Sequence, residues 1–452
     1  MRCVAILAAD WRDPGEVLAA FAEEPFALAL LSGGGGPRGR WSYLARRPVQ
    51  TLVLDAEDPG DAFALMAAVL GEAAAADPEG PPFQGGLAGL MGYELGARLE
   101  PVGHPGHPEW PQLACGLYPA VLAFDHQAHR VLAAGRGMSR AEAHRRAAEA
   151  LEWLDAPPAP PSESGDALAE GFEAITPGSA YEHAVADVVR RIGEGEIFQA
   201  NAARSWGGRL RAGVRPLDLL RRLQTSSPAP FGAYFRLPER AVVSNSPERF
   251  VRVAAEGGLR VETRPIKGTR PRGATPDEDE ALRQELLACE KDRAENLMIV
   301  DLMRNDLSRV CPPGAVEVSE LFKIETFINV HHLVSTVIGT LGGGLTGLDL
   351  IEAAYPPGSI TGAPKIQAMK VIADYEGPRG PYCGSMFWAG FDGAADSSVL
   401  IRTVALVQDA DGWRYEARAG AGIVADSDPV LERLETEAKI DAIRRALLGA
   451  KA

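Results

Sequence analysis

Lys267 is the residue in this chain whose surroundings point most directly to chemistry. It lies in a turn rich in proline, glycine and arginine, Arg264–Arg270, which follows the strand-like stretch Leu259–Thr263. A lysine in such a turn is usually a solvated point charge. If a closed cleft holds the side chain instead, desolvation disfavours the charged ammonium and yields a nucleophilic amine near neutral pH.

Two helix-like segments each carry a pair of carboxylates at i, i+3 spacing. The first pair is Asp292 and Glu295, and the second is Glu432 and Glu435. This spacing places each pair on one helix face, and two such faces that met would offer four hard oxygen donors for Mg²⁺. The alternative is two solvated faces, with Glu435 and Lys439 as an ordinary i, i+4 surface pair.

Arg402 interrupts the apolar run Val399–Val407, which predicts a strand buried on both faces. A guanidinium there needs an anion, because burying it unpaired is costly. A two-residue turn at Asp411–Gly412 would place Arg402 opposite Ala421, within the small-residue segment Gly420–Gly422. An arginine beside exposed backbone amides predicts a carboxylate site, whereas the alternative is an internal arginine–glutamate bridge.

Glu248 is a candidate general acid between two strand-like stretches, in the segment Ser246–Phe250. Burial would raise the pKa of its carboxyl group and keep it protonated. The alternative is a simple ion pair with the neighbouring Arg249.

Two further polar segments carry weaker signals. The turn Gly358–Lys365 precedes a helix, and its free N–H groups and hydroxyls favour an anion. The pair His331–His332 has no partner at metal-ligand spacing, so core packing is the expectation there.

Helix and strand signals alternate irregularly along the chain, which predicts an α+β fold rather than a doubly wound sheet. Helices are predicted to begin at the capping residues Ser179, Thr275 and Asp428. The second of these predicted helical regions runs on towards Arg309.

The length of 452 residues suits one large domain or two of medium size. A proline-rich stretch at 156–166 predicts a linker, because it can pack neither as helix nor as strand. The predicted division is therefore an N-terminal lobe, 1–155, and a larger domain, 167–452.

Net charge and cysteine usage exclude several classes of protein. The formal charge is −15 without any basic block, which argues against nucleic acid or an anionic membrane surface as the main partner. The five cysteines are scattered, so neither a disulfide scaffold nor structural zinc is expected. The chain reaches Asp10 too soon for a signal peptide, and no apolar run reaches about 18 residues. We therefore expect a cytoplasmic protein with no membrane partner.

Seven segments, taken together and in order, resemble the chorismate-utilising enzymes. That family includes the large components of anthranilate synthase and aminodeoxychorismate synthase, and the isochorismate and salicylate synthases. The matching segments are Gly195–Asn201, Ser246–Phe250, Arg264–Thr269, Glu295–Asp306, His331–Ser335, Gly358–Lys365 and Ala419–Ser427. The N-terminal part resembles the family more weakly, through Leu30–Ser32 and Gly39–Tyr43. The implied fold is a large α+β chorismate-binding fold, with sheets packed as a sandwich and helices outside.

The resemblance also implies the roles of individual residues. Asp292, Glu295, Glu432 and Glu435 would line a Mg²⁺ site that bridges to the ring carboxylate of chorismate. Glu248 would protonate the departing C4 hydroxyl. The implied substrate-binding residues are Gln199, Thr269, His332, Ser359, Tyr382, Arg402, Gly420, Ala421, Gly422 and Lys439.

Two positions separate the members of this family. Water-using members carry a lysine as general base where this chain has Gln199, which favours ammonia as the nucleophile. Anthranilate synthases usually carry alanine where this chain has Lys267, and lysine there is the mark of aminodeoxychorismate synthases. The implied reaction is attack of Lys267 on C2 with loss of the C4 hydroxyl, followed by addition of ammonia at C4. The product would be 4-amino-4-deoxychorismate, the precursor of 4-aminobenzoate for folate.

The resemblance implies partners as well. No glutaminase-like segment surrounds any of the five cysteines, so the expected source of ammonia is a separate glutamine amidotransferase subunit. Ser32, Pro230 and Phe231 resemble part of the family's tryptophan pocket, which is regulatory in some members and structural in others. Two alternatives remain: an anthranilate synthase component, and a homologue that binds chorismate without turnover.

Overall fold

The structure is a computed structural model that describes residues 1–33, 39–103, 105–160, 167–255, 257–327 and 330–449. No helix in these ranges is long and apolar enough to cross a membrane. All five cysteines lie in these ranges as free thiols. Eleven α-helices lie there: α1 Pro14–Ala19, α2 Ala62–Leu70, α3 Gly96–Leu99, α4 Arg140–Leu151, α5 Gly178–Gly193, α6 Pro216–Ser226, α7 Pro276–Ala288, α8 Glu290–Ser308, α9 Gly347–Ala354, α10 Lys365–Ala373 and α11 Pro429–Leu448.

The described residues also contain 22 strands. Those before the predicted linker are β1 Cys3–Asp10, β2 Leu28–Leu31, β3 Trp41–Ala45, β4 Gln50–Leu54, β5 Gly86–Met91, β6 Leu113–Tyr118, β7 Ala120–Asp125 and β8 Arg130–Gly137. Those after it are β9 Glu173–Ala174, β10 Gln199–Arg209, β11 Phe231–Leu237, β12 Arg240–Ser246, β13 Arg249–Ala255, β14 Leu259–Thr263, β15 Ile266–Pro271, β16 Glu317–Thr326, β17 Val330–Thr340, β18 Gly362–Ala363, β19 Ser385–Gly390, β20 Ala395–Val399, β21 Thr403–Asp409 and β22 Gly412–Ile423.

Within the described ranges these strands form two antiparallel sheets. The first has twelve strands in the order β1-β8-β7-β3-β2-β11-β12-β21-β22-β10-β18, with β9 beside β10. The second has ten strands in the order β15-β17-β14-β13-β20-β19-β5-β6-β4, with β16 beside β17. Helices and antiparallel sheets in one chain confirm the predicted α+β class.

The two sheets pack face to face, with helices on their outer faces. Alternate residues of β5 divide between the two sides, as the period of a strand requires. Ala88 and Leu90 join the apolar cluster between the sheets, which also includes Phe235 of the first sheet. Leu87 and Met91 instead meet the cluster formed with α2, α8 and α9. Helices α1, α4, α6 and α11 cover the outer face of the first sheet, so the predicted sandwich is confirmed.

Strands from both sides of the predicted linker pair with each other in both sheets. Leu31 of β2 lies opposite Gly232 of β11, and Met91 of β5 lies opposite Ser385 of β19. The division into 1–155 and 167–452 stays a prediction, and residues 161–166 of the linker lie outside the described residues.

Two of the three predicted helix starts are confirmed. The Thr275 side chain accepts the Glu278 N–H to cap α7, and Asp428 caps α11 in the same way. The helix predicted from Ser179 is present as α5, but its predicted cap is wrong, because α5 already begins at Gly178 after Pro177 without a side-chain cap. The region after Thr275 is two helices rather than one, since Cys289 takes an extended conformation between α7 and α8.

The predicted strand Val399–Val407 is wrong as a single element. It divides into β20, which ends at Val399 in the second sheet, and β21, which begins at Thr403 in the first. Arg402 lies at the bend between the sheets with a φ of 53°. The hairpin register also differs, because Asp409 pairs with Gly412 and accepts the Asp411 N–H in its own turn. The turn is thus one residue earlier than predicted, which shifts every pairing across the hairpin by two residues. Arg402 therefore does not lie opposite Ala421.

Candidate active site

Residues from α8, α11, β15 and β22 line a cleft with a cavity volume of about 620 Å³. Fourteen of the residues expected to act on substrate or metal lie along it: Glu248, Lys267, Thr269, Asp292, Glu295, His332, Ser359, Tyr382, Arg402, Gly420, Gly422, Glu432, Glu435 and Lys439. They come from segments far apart in the chain. The fold, rather than any one motif, therefore brings these groups together.

Two of the expected substrate-binding residues, Gln199 and Ala421, do not line the cleft. Gln199 is fully buried, and within the described residues neither polar atom of its carboxamide has a hydrogen-bond partner. Ala421 packs its side chain in an apolar cluster with Val185 and Ile372. Ala421 thus contributes core packing, whereas the carboxamide of Gln199 lies just behind the cleft wall.

Two glycines of β22 let that strand approach the polar side chains of the cleft. A Cβ at Gly422 would lie 2.5 Å from Gln199 Nε2 and 3.1 Å from Lys267 Nζ. A Cβ at Gly420 would lie 2.7 Å from Asn201 Oδ1 and 3.0 Å from the Tyr382 hydroxyl. At Gly420 the Cβ would also lie 2.8 Å from the Ala202 carbonyl oxygen, so backbone excludes a side chain there. At Gly422 a side chain would displace the Gln199 carboxamide and the Lys267 amine.

The predicted turn at Lys267 is wrong, because the residue lies on strand β15 and lines the cleft. Its Nζ is 3.8 Å from Glu295 Oε2, and its side chain is 15% exposed. The adjacent Gly268 has a φ of 84°, and a Cβ there would lie 2.8 Å from Asp292 Cγ. Strand β15, which carries the lysine, therefore packs directly against α8, and this directs the amine to the carboxylates.

Glu248 is buried at the cleft wall, and its Oε1 accepts a 2.6 Å hydrogen bond from Ser359 Oγ. Burial raises the pKa of this carboxyl group above its ordinary value, although Ser359 and the ammonium of Lys267 oppose the shift. Arg249 pairs instead with Asp396 and Glu262, which removes the simple Glu248–Arg249 ion pair as an explanation. A cleft carboxyl group whose pKa is raised is a suitable proton donor.

Each of the four metal candidates has a basic side chain beside it. Asp292 lies 3.3 Å from Arg270, and Glu295 3.8 Å from Lys267. Glu432 lies 3.7 Å from Lys291, and Glu435 2.6 Å from Lys439. Within the described residues no group of three acidic, histidine or cysteine side chains is arranged to hold a metal ion. The protein's own cations therefore balance the charge of this acidic wall.

The same carboxylates still fit a hard cation by their chemistry. Burial raises the pKa of Glu295, and the neighbouring charges of Glu435 and Asp292 raise it further. Burial also acts to raise the pKa of Glu435, but Lys439 and Lys267 outweigh it and lower that pKa. Asp292 Oδ2 is buried without a hydrogen bond. Neighbouring carboxylate oxygens that repel one another, one of them without a hydrogen bond, are a donor set that Mg²⁺ suits.

Arg402 lines the cleft without an internal carboxylate partner among the described residues. Burial lowers the pKa of its guanidinium, and of the neighbouring groups only Tyr382 opposes this. The alternative of an arginine–glutamate bridge is therefore wrong. An arginine that the protein leaves without an anion in a cleft is a site for an anion from outside.

Several cleft residues were not predicted from the sequence. They include Asn201, Arg270, Cys289, Lys291 and Arg418. Asn201 could have been found, because it follows Gln199 by two positions on β10 and the period of a strand places both on one face. Its Oδ1 is buried and has no hydrogen-bond partner in the part of the chain that is described.

The two weaker polar segments have mixed outcomes. His331 is buried between Thr326 and Asp279, at 2.9 Å from each, so core packing is confirmed for it. His332 lies in the cleft, where its Nδ1 is 2.9 Å from Thr269 Oγ1. The segment Gly358–Lys365 contributes Ser359 to Glu248, which is a different task from the predicted anion contact.

A second cavity of about 560 Å³ is lined by Ser32, Pro230 and Phe231. Ser32 Oγ donates a 2.7 Å hydrogen bond to the Trp41 carbonyl oxygen. The guanidinium of Arg249 lies 5.1 Å from the centre of the Phe231 ring. The three residues expected in a tryptophan pocket thus share one cavity, whose walls are distinct from those of the acidic cleft.

Comparison with known proteins places this geometry in a family. The family model described as "chorismate binding enzyme" matches residues 30–445. The chain is 42% identical over 369 residues to aminodeoxychorismate synthase component 1 of Klebsiella aerogenes, covering 81% of this chain and 78% of that protein. It is 38% identical over 447 residues to anthranilate synthase component 1 of Streptomyces coelicolor, covering 94% and 84%.

A solved structure agrees with these sequence relationships. The crystal structure of anthranilate synthase component I from Streptococcus pneumoniae TIGR4 superposes with a TM-score of 0.78 at 28% identity, covering 91% of this chain and 93% of that one. The fold and the matched length agree with one another. The chain therefore belongs to the family of chorismate binding enzymes.

Proposed function

We propose that the protein is a transferase that aminates chorismate at C4 to give 4-amino-4-deoxychorismate, the reaction of aminodeoxychorismate synthase component 1. The observation that carries the proposal is the Lys267 amine, which shares one cleft with the buried carboxyl group of Glu248, whose pKa burial raises. Several relatives that cover most of this chain bear that name. The product would serve the synthesis of 4-aminobenzoate and folate.

The dianionic substrate matches the charges of the cleft. Arg402 has no internal anion among the described residues, and Lys439 Nζ reaches the Gly420 carbonyl oxygen at 2.9 Å beside it. These two cations, with the Tyr382 hydroxyl, would bind a substrate carboxylate by charge-assisted hydrogen bonds. Chorismate carries two carboxylates, and the second would face the carboxylates of the acidic wall. A positive charge is therefore needed between them.

That second region is where Mg²⁺ would bind. Asp292, Glu295, Glu432 and Glu435 would hold the ion, which supplies positive charge for the ring carboxylate of the substrate. With Mg²⁺ among the carboxylates, the ammonium of Lys267 would lose part of its attraction to Glu295. The amine would then be available as a nucleophile.

The reaction proceeds in two displacements. The Lys267 amine forms a bond to C2 while the ring double bonds shift and the C4–O bond breaks. Glu248 gives its proton to the departing hydroxyl, which leaves as water. Ammonia then forms a bond to C4, the double bonds shift back, and the C2–N bond to Lys267 breaks with its electron pair returning to the amine. The extra proton on the new C4 amino group restores the carboxyl group of Glu248. The net change replaces the C4 hydroxyl by an amino group, and the lysine is regenerated.

Ammonia would come from a glutamine amidotransferase subunit, since the relatives are named as first components of two-component enzymes. The buried carboxamide of Gln199 lies behind the cleft wall, against Gly422, which separates it from the cleft. Tryptophan in the second cavity is part of the same proposal. Its support is the aromatic wall formed by Trp41, Phe231 and Trp388.

A coupled assay tests the proposed activity. Purified protein is incubated with chorismate, Mg²⁺ and ammonium, with and without an added 4-amino-4-deoxychorismate lyase. We expect 4-aminobenzoate only when the lyase is present. Release of anthranilate and pyruvate without the lyase would refute the proposal and establish the rival activity, which the 38% identity to an anthranilate synthase component keeps as the second candidate. Chorismate bound but never consumed would instead indicate a non-catalytic homologue.

Arg402→Met separates substrate binding from folding. In the ligand-free protein the free energy of unfolding should rise by about 0–4 kcal/mol, because the change removes a buried charge without an internal partner. It should also raise the KM for chorismate roughly 10–100-fold, because a charge-assisted hydrogen bond is lost. Thermal unfolding and steady-state kinetics measure the two effects. A large loss of stability with an unchanged KM would show that the arginine is structural.

Removal of the metal should abolish turnover. With excess chelator we expect no chorismate consumption, and titration with Mg²⁺ should restore it, because the acidic wall then lacks the charge that binds the ring carboxylate. In Asp292→Asn the midpoint of that titration should move to higher Mg²⁺ concentration, since one anionic donor is lost. Full activity in chelator would contradict the proposed metal site.

A further inference from the structure

A buried ion pair, Arg379 with Glu376, lies behind the cleft wall and outside the proposed chemistry. Arg379 is 3% exposed, and its Nε and Nη2 donate to the two oxygens of Glu376 at 2.9 and 2.8 Å. Burial alone would lower the pKa of Arg379, but the charge of Glu376 outweighs it and raises that pKa well above its ordinary value. The guanidinium is therefore a permanent, fixed cation.

The remaining hydrogen bonds of this pair connect two segments of the cleft. Arg379 Nη2 donates to the Asn201 carbonyl oxygen at 2.6 Å, and Nη1 to the Ile360 carbonyl oxygen at 3.2 Å. Glu376 Oε1 accepts the Ala203 N–H at 2.7 Å. Asn201 lines the cleft, and Ile360 follows Ser359, which donates to Glu248. One guanidinium thus fixes the strand and the turn that face the substrate.

The same guanidinium also supports a third cleft residue. It lies 4.7 Å from the centre of the Tyr93 ring and 5.8 Å from that of Tyr382, whose ring lines the cleft. The backbone of Arg379 is held too, because its N–H donates to the buried Glu94 carboxylate at 2.6 Å. With its own position fixed on both sides, Arg379 can set the position of its neighbours.

We propose that Arg379 is a positioning residue for the substrate: it holds Asn201, Tyr382 and the Ser359 turn in the one arrangement that binds chorismate. It touches neither substrate nor metal. The inference rests on the proposed turnover of chorismate, but not on which ring carbon is aminated.

The test compares two buried arginines by replacing each with lysine. Arg379→Lys keeps the charge beside Glu376 but loses the fork that reaches Asn201 and Ile360. We expect kcat/KM for chorismate to fall about 100-fold, mainly through a higher KM, because small displacements of positioning groups are that costly. A purely structural role would lower the active fraction, and hence the apparent kcat, without changing the KM.

Arg136→Lys is the matched control. Arg136 is 1% exposed and donates to the carbonyl oxygens of Gln84 and Ala75, away from the cleft. Arg136→Lys should lose about as much thermal stability as Arg379→Lys, with no change in the KM for chorismate. An unchanged KM in Arg379→Lys, or an equal rise in Arg136→Lys, would overturn the inference.

A second variant covers the case in which Arg379→Lys does not fold. Glu376→Gln keeps an acceptor for the Ala203 N–H but removes the charge that orients the guanidinium, and should raise the KM about tenfold. An unchanged KM in this variant would also overturn the inference. Failure of the wild-type protein to consume chorismate would instead refute the proposed function.

Discussion

Lys267→Ala should lose amination of chorismate by roughly 10²–10⁴-fold or more, since the chemistry would lose a positioned catalytic group and its covalent route. The side chain is the amine of the cleft that lies beside both Glu295 and Gly422. Without it, ammonia would have to displace the C4 hydroxyl directly. Steady-state consumption of chorismate with saturating ammonium measures the effect.

Lys267→Arg is the control for charge. Arginine keeps a cation beside Glu295, but it is not a nucleophile at any accessible pH because its pKa lies above 12. If Lys267 acts as a nucleophile, the arginine variant should be as inactive as the alanine variant. Substantial activity in Lys267→Arg, or wild-type turnover in Lys267→Ala, would show that the lysine only balances charge.

Glu248→Gln should lower kcat by roughly 10²–10⁴-fold, the range for loss of a general acid. Glutamine still accepts the hydrogen bond from Ser359 but has no proton to give to the C4 hydroxyl. In the wild-type protein the activity should fall as pH rises through the pKa of Glu248, which burial places above the ordinary carboxyl range. A wild-type profile without this alkaline fall, together with an active glutamine variant, would exclude the role.

The same variant makes a separate prediction for stability. The pKa of Glu248 is higher in the folded protein than in the unfolded chain, so the folded state binds this proton more tightly. The resulting stability is fully present below the unfolded pKa and is lost as pH rises through the folded pKa. Glu248→Gln does not titrate, so its melting temperature relative to wild type should rise over that pH range. A difference that is constant with pH would contradict the raised pKa.

The sequence predicted the helix faces of the site better than its strands. Spacing alone placed Asp292 with Glu295 and Glu432 with Glu435, since a helix fixes which residues share a face. Spacing does not reveal that the two faces line one cleft, because this follows from the packing of the sheets. Only the resemblance to a known family predicted it. The bend at Arg402 was missed because an apolar run does not reveal where a strand passes from one sheet to the other.

Long-range contacts of the main chain were also beyond sequence reasoning. Arg379 holds carbonyl oxygens that are 178 and 19 residues away in the chain, and main-chain acceptors carry no sequence signal. Gln199 was predicted as a substrate contact from a motif, but its position behind Gly422 depends on the register of β10 against β22. A register one residue different would turn the Gln199 side chain to the other face of the sheet.

The position of the new C–N bond tests the central claim most directly. The protein is incubated with chorismate, Mg²⁺ and ¹⁵N-ammonium, and the product is examined by NMR and mass spectrometry before any lyase is added. We predict ¹⁵N bonded to C4 of a ring that still carries its enolpyruvyl group. A product with ¹⁵N at C2 and free pyruvate would contradict it.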